Sequence, residues 1–197
     1  MSLITRAKNI LLSPKTEWLV ILTETETPQS LLSKYVIPMA LIPAIAFFIG
    51  YGLIGIDAVI IRISGIRWGV IMAVDSFITS IITYYICTYV VDALAPSFSS
   101  EKNIGKSAQL VAYSYTAVWV AGIFNILPSL SILGILGLYS IYLFYLGVPV
   151  LKKTPEDKRI PYMIVSAIVI IVVGLVVNTI VSRIMYAFTG NPFLAMG

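Results

Sequence analysis

The residue with the sharpest chemical potential is Asp75, set in the apolar run VIMAVDSFITS. A carboxylate inside a membrane span is costly unless it is paired or wetted, so its position marks a candidate site. Thr79 and Thr83 follow at i+4 and i+8, with Ser76 and Ser80 beside them, which gives a helix through this stretch one hydroxyl-rich face. Such a face can line a path for an ion or polar solute, or it can hold a neighbouring helix by hydrogen bonds. A second polar row, Ser166, Gly174, Asn178 and Ser182, repeats at helical spacing in a run that is otherwise Ile, Val and Leu, and Arg183 follows it. Counted from Trp68 at about 1.5 Å per residue, Asp75 lies roughly 10 Å below one membrane surface. Arg183 falls in the same leaflet. The expected partner of Asp75 is therefore Arg183, Asn178 or a nearby hydroxyl, with Arg183 otherwise free to snorkel to the headgroups.

Other chemistry is poorly supplied. There is no histidine, and the single cysteine, Cys87, has neither a disulfide partner nor a neighbouring ligand. No span carries a pair of carboxylates, no serine sits in a G-x-S-x-G elbow, and no glycine-rich phosphate loop occurs. These absences speak against an enzyme, a metal centre or any cofactor. Basic residues next to apolar runs suit anionic lipid headgroups better than nucleic acid.

The elements that must position Asp75 are membrane helices. Mean hydropathy is +0.97 and only 11% of residues are charged, against about a quarter in soluble domains. About 20 apolar residues cross the hydrocarbon layer as a helix. Five stretches qualify, at 35–54, 68–91, 110–127, 130–151 and 163–184. The expected architecture is thus all-α and polytopic, a segment 1–34 followed by a five-helix transmembrane domain over 35–197. Pro38 and Pro43 predict a kinked first span. Only Pro128 and Ser129 separate the third and fourth spans, so these should form a tight antiparallel hairpin. Asn125, Gly134 and Gly137 read as hydrogen-bonding and close-approach positions.

No secretory signal precedes position 35. Leu3, Ile4, Ala7, Ile10 and Leu11 instead repeat at helical spacing, with Arg6 and Lys8 opposite, and Ser13-Pro14 opens a second short helix carrying Trp18, Leu19 and Leu22. These two helices either lie in the membrane surface, with Trp18 at headgroup level, or pack on the end of the bundle.

Lysine and arginine fix the expected orientation, because cationic loops stay on the cytoplasmic side. With the N-terminus inside, Arg6, Lys8, Lys15, Lys34, Lys102, Lys106, Lys152, Lys153, Lys158 and Arg159 face the cytoplasm, and Arg62, Arg67 and Arg183 lie outside. The expected location is the cell (inner) membrane, crossed five times, with the C-terminus outside. Thr154-Pro155-Glu156-Asp157 reads as a cap, a first-turn proline and acids at a positive helix end.

Four segments resemble one family. LLSPKTEW (11–18), YVIPMALIPAIAFFIGYGLIG (35–55), AYSYTAVWVAGIFNILP (112–128) and LGLYSIYLFYLGVPVLKKTPEDK (136–158) are similar in order and spacing to prokaryotic members of the Yip family of Ypt/Rab-interacting membrane proteins. The resemblance implies five helices and a cytoplasmic N-terminus. It also implies a non-catalytic organiser or adaptor, since eukaryotic relatives look like organisers of vesicle traffic that bind prenylated GTPases; they carry longer cytoplasmic N-terminal regions than the 34 residues here. Anionic lipids, other membrane proteins or a second copy are the partners expected. The alternative is a small transporter or channel with a polar path along the second span.

Overall fold

The computed structural model describes residues 1–58, 61–63 and 65–189, and these build a helical bundle. Four segments are long and apolar enough to cross a membrane: Pro28–Ile54, Ile66–Phe98, Ser129–Lys152 and Glu156–Ala187. The chain is a multi-pass membrane protein. Preceding the first of these segments are α1 (Leu3–Leu12) and α2 (Pro14–Thr23), joined through Ser13.

The first span opens at Pro28, with Thr27 as its cap: the Thr27 side chain accepts from the Ser30 amide at 3.2 Å. It widens to a π-helix at Leu32–Val36, continues as α4 (Ile37–Phe47), and widens again at Phe48–Ile54. Pro38 and Pro43 each remove an amide donor, and a local widening is one of the adjustments by which a membrane helix re-satisfies its freed carbonyls. A two-stranded antiparallel ribbon, β1 (Ile56–Ala58) against β2 (Ile61–Ile63), turns the chain into α5 (Ile66–Leu94). The side chain of Arg62 lies outside what is described.

The expected third crossing, 110–127, is not among the four. It is divided at Tyr115 into α6 (Ile104–Ser114) and α7 (Thr116–Ala121), with a 3-10 turn over Gly122–Ile126. The physical reason is its place. Other helices enclose its first half, where every residue from Ser107 to Ser114 is buried, and it carries Gln109, Ser114 and Thr116 where a lipid-facing helix would carry leucine, whereas Val118, Val120 and Ile123 beyond Tyr115 are exposed. The segment after it is also not a plain α-helix. A 3-10 stretch, Pro128–Leu138, comes first and passes directly into α8 (Tyr139–Lys152). It packs back against α7 and the preceding turn, as the short Pro128-Ser129 connection predicts.

Helix α9 (Glu156–Thr189) has the expected acids, Glu156 and Asp157, in its first turn. The Thr154 hydroxyl does not cap it. It lies 2.8 Å from the Ser100 hydroxyl and is directed at the Val148 carbonyl, tying the loop before α6 to the end of α8.

Helix α5 is the hub, packed on α4 and its π-helical extension, on α9 and on α6. Its closest crossing is glycine on glycine. A Cβ on Gly69 would stand 2.6 Å from the Gly52 Cα and 2.8 Å from the Phe48 carbonyl oxygen, both backbone. Gly69→Val should therefore push the first two spans apart and lower the detergent melting temperature, by an overpacking cost of about 1–3 kcal/mol. Gly174→Ala, with nothing within 4 Å of the new Cβ, should leave it unchanged or slightly raised.

Candidate functional site

Asp75 lies on the α5 face packed against α9, half-buried, and its Oδ1 accepts a hydrogen bond from the Ser182 hydroxyl at 3.1 Å. The second and fifth expected spans are thus neighbours, and the partner is one of the nearby hydroxyls. Asn178 and Arg183 are both exposed on α9, turned toward the surroundings of the bundle. Thr79 and Thr83 continue the α5 row from Asp75, and among the described residues neither buried hydroxyl has a hydrogen-bond partner. Of the five candidates, Asp75, Thr79 and Thr83 share the interface, and Asn178 and Arg183 stand off it.

A denser polar site lies at the opposite end of α5. Asp92 is 6% exposed and Lys152 is fully buried, with Lys152 Nζ 3.2 Å from Asp92 Oδ1. The same ammonium donates to the Ser107 hydroxyl at 2.7 Å and to the Asn103 carbonyl at 3.3 Å, which uses all three of its protons. Ser107 in turn donates to Asp92 at 3.0 Å. One cation thereby joins the ends of α5 and α8 to the start of α6, and the Glu101 amide, bonded to the Lys152 carbonyl at 2.8 Å, closes the same corner. Outside it, Lys153 pairs with Glu101 at 2.7 Å and holds that carboxyl below the usual carboxylate range.

The N-terminal helices attach through a second buried charge. Arg6 pairs with Glu17 and Glu24, its guanidinium lies 5.2 Å from the centre of the Tyr113 ring, and Asn9 donates to Glu17 at 3.1 Å. Lys106 reaches from α6 to the Leu22 and Glu24 carbonyls at 2.8 and 2.7 Å, and burial lowers its ammonium below the usual lysine range. Trp18 is fully buried rather than at a headgroup boundary: it packs at Gly147 and stands edge-on to Tyr113 with centroids 6.4 Å apart. One face of these helices thus packs on the bundle, and Arg6 faces inward rather than away from the apolar row.

Between the 3-10 stretch and α8 on one side and α9 on the other lies a cleft of about 480 Å³, floored by α6 and α7. Its rim carries exposed Ile135, Leu138, Ile171 and Leu175. Gly134 and Gly174 face open space here instead of a close-packed helix, whereas Gly137 does meet Val118, 3.3 Å from a built Cβ. The lining is apolar except for the hydroxyls of Ser114, Tyr115 and Ser140.

The ion pairs of Arg6, Asp92 and Lys152 were missing from the sequence reading, which placed Arg6 and Lys152 with the solvated connector cations. One signal was present. Asp92 directly follows Val90 and Val91, and Lys152 follows Val150 and Leu151, so each charge is continuous with an apolar run. Among the described residues no group of His, Cys, Asp and Glu could hold a metal ion.

The family model described as the Yip1 domain matches residues 8–178. No curated protein and no solved structure matches the chain.

Removing one member of a buried pair leaves the other uncompensated, at about 3–5 kcal/mol, while replacing both costs less. Lys152→Met should accordingly lower the melting temperature in detergent sharply. Asp92→Asn added to it should recover part of the loss, and an additive loss in the double variant would show that the pair is not coupled.

Proposed function

Given that this chain belongs to the Yip1-domain family, we propose that it is a non-catalytic organiser or adaptor of other membrane components. The reading includes five crossings of the cell (inner) membrane, with the N-terminus in the cytoplasm and the C-terminus outside. The observation that carries the adaptor reading is the lateral apolar cleft. This cleft presents hydrocarbon to the side, where a neighbouring membrane protein docks, and the buried charges Arg6, Glu17, Asp92 and Lys152 are occupied with ion-pair partners inside the chain.

A fifth crossing is supported by the backbone at Tyr115. The Tyr115 amide bonds to the Val111 carbonyl at 3.0 Å and the Trp119 amide to the Tyr115 carbonyl at 3.1 Å, so the ladder runs through the break and α6, α7 and the following turn form one bent rod. The orientation is supported by charge: Lys106, Lys152, Lys153 and Lys158 gather at the end of the bundle away from Asp75 and Arg183. A second reading, a polar path for an ion, is favoured by Asp75 followed by the unpartnered Thr79 and Thr83 hydroxyls.

Three measurements test these readings. Cysteines at the exposed positions Lys102 and Asp157 should resist impermeant thiol reagents in intact cells, against a background in which Cys87 is buried. Labelling of either from outside would invert the topology. Protein reconstituted alone in liposomes should pass no ions, and a photo-crosslinker at Ile171 in native membranes should capture defined membrane proteins unless Gly174→Leu fills the cleft. Flux that disappears in Asp75→Asn would replace the adaptor reading with the transport one.

A further inference from the structure

The α1–α2 pair turns its charged and aromatic side chains inward, and what it leaves outside has a definite chemistry. Arg6, Ile10, Pro14, Glu17, Trp18 and Ile21 are buried against the bundle. On the far side Ile4 is 77% exposed, Leu12 71% and Leu19 57%, with Leu22 also exposed. Lys8 and Lys15 are exposed between them. The spacing is regular on both helices. Ile4, Lys8 and Leu12 stand at i, i+4 and i+8 of α1, and Lys15, Leu19 and Leu22 at i, i+4 and i+7 of α2, so each helix shows one stripe of apolar side chains carrying a lysine.

From these stripes we propose that the α1–α2 pair is a membrane-seated wedge, whose outer face inserts at the headgroup boundary and binds anionic lipids of the leaflet that the bundle spans. Charge complementarity supports that occupant. The acids nearest the stripes, Glu17 and Glu24, are turned to Arg6, so the charged side chains on the outer face of the two helices are Lys8 and Lys15. Lysine stems lie along apolar surface and lift their ammonium groups to phosphates, which places Lys8 and Lys15 at the level where headgroups sit. Continuity with the lipid-facing surface supports it as well. Exposed Tyr139, Tyr142 and Tyr145 form a row on α8, and the Tyr139 hydroxyl donates to the Leu11 carbonyl at 3.1 Å, so the end of α1 adjoins an exposed side of a membrane span. The Lys106 bonds to the Leu22 and Glu24 carbonyls and the buried Trp18 hold the wedge as one piece with the bundle, so seating it requires no folding on contact. This inference rests on the multi-pass membrane reading and not on the adaptor reading.

The test uses the full chain in nanodiscs of phosphatidylcholine with or without phosphatidylglycerol, with Cys87→Ser and a nitroxide label on Leu12→Cys or Leu19→Cys. In the anionic discs both labels should be more accessible to oxygen than to a soluble nickel complex, and Lys8→Glu with Lys15→Glu should abolish that excess without moving the melting temperature, since both side chains are exposed. Equal access to both reagents in the anionic discs would overturn the proposal by placing the face in water. Labels shielded from both reagents, with cross-linking between copies, would overturn it by assigning the face to a protein contact. Persistence of the full excess in neutral discs and in the double variant would overturn the anionic-lipid assignment.

Discussion

A lysine ammonium without access to water is the constraint around which one end of this bundle is organised. Lys152 is fully buried, and each of its protons must meet an acceptor, which Asp92, Ser107 and the Asn103 carbonyl supply from α5, α6 and the loop before α6. That geometry permits one mutual arrangement of three elements. Much nearby follows from it: α8 ends at Lys152 and turns through Lys153 in the left-handed region (φ 48°), and Thr154 meets Ser100 across the gap. The Tyr162 hydroxyl then donates to the Val91 carbonyl at 2.7 Å and draws the start of α9 to the same end of α5.

With that end pinned, the far end is held by other means. Gly52 against Gly69 brings the first span onto α5, and Ser182 to Asp75 brings α9 onto it. Neither of these contacts involves the 3-10 stretch before α8. That stretch rests on α7 and the Gly122–Ile126 turn and stands apart from α9, so the cleft opens where three spans that meet at the pinned end have separated. The cleft and the buried ion pair are thus two consequences of one arrangement, tight at one end and looser at the other.

Much of this was legible in the chain. Apolar runs long enough to cross a membrane are visible from length and hydropathy alone, and four of the five read that way are present as such. The neighbourhood of Asp75 was legible too, because a carboxylate in hydrocarbon demands a donor and α9 carries a serine row at the right depth. The Leu110–Leu127 stretch was harder. Its hydropathy mixes a first half enclosed by other helices with a second half that exposes Val118, Val120 and Ile123, and apolar residues buried by protein and by lipid have the same signature. Arg6 was misplaced for a related reason. Helical periodicity sorted Leu3, Ala7 and Ile10 onto one face and left Arg6 outside it, but an arginine offered two carboxylates and a Tyr113 ring is satisfied inside, and those partners are distant in sequence.

The division at Tyr115 also bears on what the cleft can hold. Because α6 and α7 bend there, Ser114 lies on the cleft floor, 2% exposed, with its hydroxyl closed off from the cleft and without a hydrogen-bond partner among the described residues. A hydroxyl in that position costs little when its alternative partner is a helix carbonyl, and far more when it faces pure hydrocarbon. The surface that the cleft offers is therefore apolar, and Gly134 and Gly174, with nothing within 4 Å of a built Cβ, keep it open beside the 3-10 stretch and α9.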